Sequence, residues 1–179
     1  RVGIGIFDLC SRQSGNSISV KRKKELTGRS WPNGCHVAEV EIDAETGEVR
    51  LDRYVSVDDV GNTVNPMIVH GQVQGGIASG LGQAVLERTE YDASGQLLSG
   101  SYMDYALPRA DDMPSLSGSL FEKAPCLTNP LGAKGTGEIG AVAGPPAIVH
   151  AVIDALAEKG ITQVDMPLQP QKIWECLNR

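Results

Sequence analysis

Between Asn65 and Leu86 the chain carries two instructions that pull against each other. Val69, Val73, Ile77, Leu81 and Val85 recur every fourth residue, which makes one apolar stripe of an α-helix running to about Leu86. Asn65-Pro66 ahead of it reads as a side-chain cap followed by proline at the first helical position. Yet Gly71, Gly75, Gly76, Gly80 and Gly82 lie in the same stretch. Each glycine costs about 1 kcal/mol relative to alanine in a helix interior. Such a helix needs compensation from outside itself: close packing against a sheet, or a ligand that touches its backbone. The Gly-x-x-x-Gly spacings also suit a membrane helix pair. His70, Gln72, Gln74 and Gln83 in the same stretch argue against that reading.

The chain has 179 residues, enough to bury a real core, and is expected to form a single domain over 1–179. Its net charge of -6 makes it a poor partner for nucleic acid or an anionic membrane surface. No uninterrupted apolar run approaches the ~20 residues of a membrane span, and no leader signal is legible at the start. The first residue is Arg1, not Met, as in a piece of a longer protein. Cys10, Cys35, Cys126 and Cys176 are far apart, as are His36, His70 and His150, so no protein-ligated metal site is expected. Parity allows a disulfide, but buried free thiols in a reducing cytoplasm are the preferred reading.

The clearest sheet signal is a hairpin. Ala38, Val40 and Ile42 alternate with Glu39 and Glu41, and Val49 and Leu51 alternate with Arg50 and Asp52, with Val55 and Val57 continuing the second strand. Asp43 to Gly47 supplies the turn, and Gly47 can take a positive φ. A second turn at Asp92–Gly95 predicts a further strand pair, near Arg88–Tyr91 and Gln96–Tyr105. Residues 2–7 read as a short strand. Residues 11–34 read as loop, with Lys21, Arg22, Lys23 and Lys24 as a solvated strand edge or loop. Four prolines between 106 and 131 mark a long surface connection with one short strand at Ser119–Glu122. Pro145 and Pro146 read as the start of a helix with Ile148, Val149, Val152, Ile153 and Leu156 on its apolar face. A last short helix is expected over Gln171–Leu177. Together these predict an α+β fold in two layers. A mixed, largely antiparallel sheet has helices packed on one face, and the other sheet face, or the surface facing missing upstream chain, is unusually apolar.

Chemistry concentrates in Gly132-Ala-Lys-Gly-Thr-Gly-Glu-Ile-Gly140. Gly135 to Gly140 matches Gly-x-Gly-x-x-Gly, but Asn129-Pro-Leu-Gly-Ala-Lys134 precedes it where a dinucleotide fold needs an apolar strand. No Gly-Lys-Ser/Thr follows, so it is not a Walker loop either. What survives is physical: glycine amides ahead of a helix form a concave donor surface for an anion, with Lys134 beside it. Glu138 is the odd member: a helix-end charge, a salt-bridge partner of Lys134, or a general base held beside a cofactor. The loop could equally serve a phosphate- or nucleotide-binding module, or the glycines could serve packing alone in a non-catalytic docking domain.

Trp31-Pro-Asn-Gly-Cys-His-Val-Ala-Glu-Val-Glu-Ile-Asp43, Asp58-Asp-Val-Gly-Asn-Thr-Val-Asn-Pro66, Gly71-Gln-Val-Gln-Gly-Gly76, Asp104-Tyr-Ala-Leu-Pro-Arg-Ala-Asp-Asp112 and Asn129-Pro-Leu-Gly-Ala-Lys-Gly-Thr-Gly-Glu138 occur in this order. From residue 31 onward the chain resembles the C-terminal part of the molybdopterin-binding large subunit of the xanthine dehydrogenase/aldehyde oxidase family. The carbon monoxide dehydrogenase branch is the nearest likeness, and residues 1–30 match poorly. The resemblance implies an oxidoreductase that hydroxylates an aldehyde or N-heterocycle, or oxidises CO, using water-derived oxygen. It implies that Glu138 is the active-site base and that Gln72 hydrogen-bonds the cofactor. It implies that Lys134, Gly135, Thr136 and Gly137 hold the pterin or its phosphate. The implied cofactor is molybdopterin, with or without a cytosine dinucleotide tail, carrying molybdenum. The implied partners are the upstream part of the same subunit, iron–sulfur and FAD subunits or domains, and a small-molecule substrate. A whole family subunit is several times longer, so this piece alone is expected neither to retain the cofactor nor to turn over.

Overall fold

The computed structural model describes residues 3–23, 25 and 28–178. Its sheet has three strands in the order β1 (Asn33–Ile42), β2 (Val49–Asp59), β3 (Leu116–Leu120). β1 and β2 form the expected antiparallel hairpin, while β3 runs parallel to β2 and makes the sheet mixed. β3 lies a few residues earlier than the sequence predicts. The β1–β2 turn is closed by Asp43, whose Oδ1 accepts the Glu45 amide at 2.8 Å. Gly47 has φ 77°, and a Cβ there would collide with the Pro170 carbonyl of α4 (Pro170–Leu177). No other residue fits that corner.

One departure from the expected hairpin matters for everything that follows. Glu39 pairs with Arg53 but Val40 pairs with Leu51, so Asp52 is an extra residue in β2. Such a bulge shifts the alternation by one residue. Below it Val49 and Leu51 are buried, as the sequence predicts. Above it Tyr54, Ser56 and Asp58 point inward, and Val55 and Val57 are 38% and 43% exposed. With Cys35 and Val37 opposite them on β1, they make the open face at that end apolar. The lower open face is charged, with Glu41–Arg50 and Glu39–Arg53 ion pairs across the strands.

The helix α2 (Pro66–Leu81) is capped as expected: the Asn65 side chain accepts the Ile68 amide, and Pro66 follows. All five residues of its stripe, Val69 through Val85, are buried. Its final turn, Gly82–Leu86, relaxes to a π-turn. The helix α3 (Ile139–Leu156) starts well before Pro145, so both prolines lie inside it. The prolines' lost helical bonds are outweighed by close packing against α2. A Cβ at Gly76 would meet Gly140 and Ala141 backbone atoms, and one at Gly140 would collide with Val73 O and Ile77 N. Glycine on both helices lets the backbones touch. With its 3-10 extension, Ile139–Lys159 reaches 21 residues, with a mean hydropathy of 1.6 over 18 of them, long and apolar enough by composition to cross a bilayer. The sequence, read as broken at the prolines, shows no such run. Here the helix is packed between α2 and β1, with Gly140, Gly144, Ile148, Val152 and Leu156 buried. The core joins Leu51, Tyr54, Ile77, Leu81, Ile148 and Val152 to Leu168 and Ile173.

Two further sequence expectations are corrected. Around Asp92–Gly95 the turn forms, but only a single bridge, Tyr91 to Leu97, flanks it, because no apolar face there is buried. The expected strand over 2–7 is replaced, within the described residues, by coil and a short helix α1 (Ile6–Ser11) with no buried residue. Val2 lies outside the described residues. So does Lys24 of the basic run; Lys21, Arg22 and Lys23 are exposed and irregular, as expected.

Candidate active site

The site is built where the end of β2 meets the glycine-rich loop. Gly61 bridges Ala133, and the Lys134 amide donates to Val60 O at 2.7 Å. The Asn62 amide holds Gly132 O at 2.9 Å and its side chain holds Leu131 O at 2.8 Å. Gly61 has φ 65°, and a Cβ there would collide with Gly132 O, so the two segments approach only because it is glycine. Beside this seam Lys134 Nζ donates to Asp59 Oδ2 at 2.6 Å, with both side chains only 11–12% exposed. Burial pushes the Asp59 carboxyl up, but the Lys134 hydrogen bond, the Gly61 amide and the Lys134 charge outweigh it. The group is held below the usual aspartate range.

Beyond Lys134 the pairing stops. Among the described residues, the amides of Gly135, Thr136 and Gly137 make no backbone hydrogen bond. The Thr136 hydroxyl is buried and has no partner among the described residues. A buried polar atom without a partner is costly, so a hydroxyl left this way marks a place for a polar ligand. Glu138 follows at the N-terminal end of α3, exposed and without an ion-pair partner among the described residues. Gly135 and Glu138 line a cleft of about 420 Å³ whose walls include Trp31, His36, Ile139 and Val142. Gln72, on α2, presents its Oε1 3.9 Å from where a Gly137 Cβ would stand. Gly71 and Gly75, on the same exposed arc of α2, have nothing within 4 Å of a Cβ position.

Under the cleft lies a polar cluster that the sequence reading does not single out as a site. His36 contacts the Tyr54 hydroxyl through Nδ1 and Asp58 Oδ1 through Nε2, each at 2.9 Å. Ser56 donates to Asp58 Oδ2 at 2.9 Å. The His36 and Asp58 side chains are 2% and 1% exposed. Burial, then the Asp58 charge, pushes the Tyr54 phenol up, so it stays protonated and can donate to His36. The signal in the sequence was the broken alternation at Leu51-Asp-Arg-Tyr54, which announces the bulge that turns these groups inward.

The structure therefore brings Gln72, Gly135, Thr136, Gly137 and Glu138 to one side of the molecule. It places Lys134 differently from the expectation of a cation facing an anion. Its ammonium is bound to Asp59 and its amide to Val60, because burial requires both to be paired. Glu138 does not pair with Lys134.

Comparison with known proteins bears on the family of the chain. The sequence model of the molybdopterin cofactor-binding domain matches residues 11–114, more than half of the chain. The carbon monoxide dehydrogenase large chain of Hydrogenophaga pseudoflava is 37% identical over 148 residues, covering 83% of this chain and 18% of that protein. The nicotine 6-hydroxylase large subunit of Paenarthrobacter nicotinovorans is 38% identical over 143 residues, covering 80% of this chain and 17% of the relative. Among solved structures, quinoline 2-oxidoreductase from Pseudomonas putida 86 superposes with a TM-score of 0.77 at 40% identity, covering 83% of this chain and 19% of that one. The chain thus spans under a fifth of the length of these three relatives. These relatives are oxidoreductases of the molybdenum hydroxylase type. On sequence and fold together, the chain belongs to the molybdopterin cofactor-binding domain family, as part of a large subunit of the xanthine dehydrogenase type near the carbon monoxide dehydrogenase branch.

Proposed function

We propose that this chain is the portion of a molybdenum hydroxylase that supplies the active-site base, Glu138, and one wall of the cofactor site. The observation that carries the reading is the juxtaposition of unpaired loop amides, a buried unpartnered Thr136 hydroxyl and Glu138, with Gln72 beside them. These residues fit a polar, anionic cofactor: the amides of Gly135, Thr136 and Gly137 donate to it, and the Gln72 amide hydrogen-bonds it. Gly71 and Gly75 keep the α2 backbone accessible to a ring system. When bound, the molybdenum pterin supplies the two-electron acceptor and activates water-derived oxygen for transfer to the substrate. Glu138 takes up the proton released in that transfer at its carboxylate oxygen. Trp31, Ile139 and Val142 form apolar walls of the cleft beside the carboxylate.

The relatives' names support an N-heterocycle, an aldehyde or CO as substrate. The cofactor is molybdopterin with or without a cytosine dinucleotide, and iron–sulfur and FAD partners carry the electrons away. We place the parent in the cytoplasm, where its four unpaired thiols suit a reducing environment. The rest of the large subunit supplies the remaining cofactor contacts, so the piece alone does not retain molybdenum.

The test is Glu138→Gln in the full-length enzyme. Turnover should fall by on the order of 10²–10⁴, as for loss of a general base, with molybdenum content unchanged. Turnover at the parent's rate would remove Glu138 from the mechanism. A second reading, a nucleotide- or phosphate-binding module, rests on the same amides. It would be favoured by nucleotide binding to a parent that contains no molybdenum.

A further inference from the structure

Glu138 itself is held by little: it is exposed, and among the described residues the amides of the three residues before it donate to no backbone carbonyl. Its position is therefore decided by what fixes the two ends of its segment. The C-terminal end is fixed by α3, where the Glu138 carbonyl accepts the Val142 amide at 2.9 Å and Gly140 seats on α2. The N-terminal end is fixed at Lys134, four residues from Glu138. There the backbone bond to Val60 is reinforced by the buried ion pair to Asp59. Asp59 is in turn held rigid, since its Oδ1 accepts the Gly61 amide at 2.9 Å and its strand is paired on both sides. A charged pair this shielded from solvent is tied more firmly to one geometry than an exposed one, and loss of either member leaves the other uncompensated.

We propose that Asp59 and Lys134 are positioning residues for the reaction: their ion pair anchors the loop to β2 so that Glu138 faces the cleft. Neither side chain touches the reacting atoms. The proposal rests on Glu138 being the base. It also accounts for a lysine in a cofactor loop whose charge is spent on a neighbouring strand and not on the ligand.

The experiment uses the assembled full-length enzyme with Asp59→Asn, Lys134→Met and Lys134→Arg, with Glu138→Gln measured alongside. Misplacing a catalytic group by about 1 Å can cost on the order of a hundredfold. Asp59→Asn and Lys134→Met should each lower kcat by about tenfold to a hundredfold, with KM and molybdenum content held. Lys134→Arg, which keeps the charge, should recover most of kcat. Hydrogen exchange at amides 134–138 should quicken in the first two variants and not in the third, a readout independent of turnover. An unchanged kcat in Asp59→Asn and Lys134→Met, with Glu138→Gln inactive, overturns the positioning role and leaves Glu138 in place. Joint loss of molybdenum, KM and kcat in all three variants also overturns it, showing a merely structural pair. Normal turnover in Glu138→Gln overturns the role of Glu138 and this proposal with it.

Discussion

The two sides of α2 use glycine for opposite purposes. On the inner side Gly76 and Gly80 lie against Gly140 and Gly144 of α3, where any added Cβ would meet backbone. On the outer side Gly71 and Gly75 meet nothing at all. The first pair is explained by the fold, because close helix contact repays the propensity that glycine gives up. The second pair earns nothing from the fold and sits beside Gln72 and the glycine-rich loop. The lesson is that glycine count in a helix is uninformative until the side is known: packed glycine reports on stability, bare glycine reports on what comes to lie there.

The largest expected effect tests the inner side. Gly140→Val should push α3 off α2 and destabilise the chain by about 3 kcal/mol or more, read by denaturant unfolding. A cost within experimental error would mean that the helices can separate freely. The outer side predicts the reverse sign. Gly75→Ala should stabilise the isolated chain by up to about 1 kcal/mol, since alanine is the better helix former and nothing obstructs its methyl. The same substitution in the full-length enzyme should lower molybdenum content. Stabilisation without any loss of molybdenum would show that the bare face is merely bare. The smallest effect concerns the loop's other anchor, which depends on charge. Asp59 has its acidity raised in the fold, so its contribution is present above the ordinary aspartate value and is lost as pH falls through the lower, folded value. Thermal unfolding should therefore weaken below pH 4 by a few tenths of a kcal/mol more in the parent sequence than in Lys134→Met. Identical acid profiles would show that the pair contributes nothing to the folded state.

Much of this was legible in the residues because it is local. The Asn65-Pro66 cap, the stripe from Val69 to Val85 and the Asp43–Gly47 turn are each decided within a few positions of the chain, and each forms as its sequence specifies. The start of α3 was not legible, since Gly140, Gly144, Pro145 and Pro146 all oppose a helix by propensity. It exists because Gly76 and Gly80, some sixty residues earlier, leave room for it. The strand pair expected near Asp92 failed for the complementary reason: a good turn had no buried face to serve. At the site, motif order nominates Glu138, Gln72 and the loop, and the fold brings them to one side of the molecule. Asp59 as the partner of Lys134, and His36 with Asp58 beneath the cleft, were not legible in the sequence. They depend on which way β2 faces, and that is settled by a one-residue shift.

That shift has a further reach. Asp52 is a spacer: remove it, and the strand beyond would turn over like a page, bringing Val55 and Val57 against the helices and expelling Ser56, Asp58 and the Tyr54 ring toward solvent. The hairpin would then gain a more conventional oily interior and lose the hydrogen-bonded floor of its cleft. A single aspartate with no partner in the strand ladder thus decides whether this end of the sheet is a wall or a workplace.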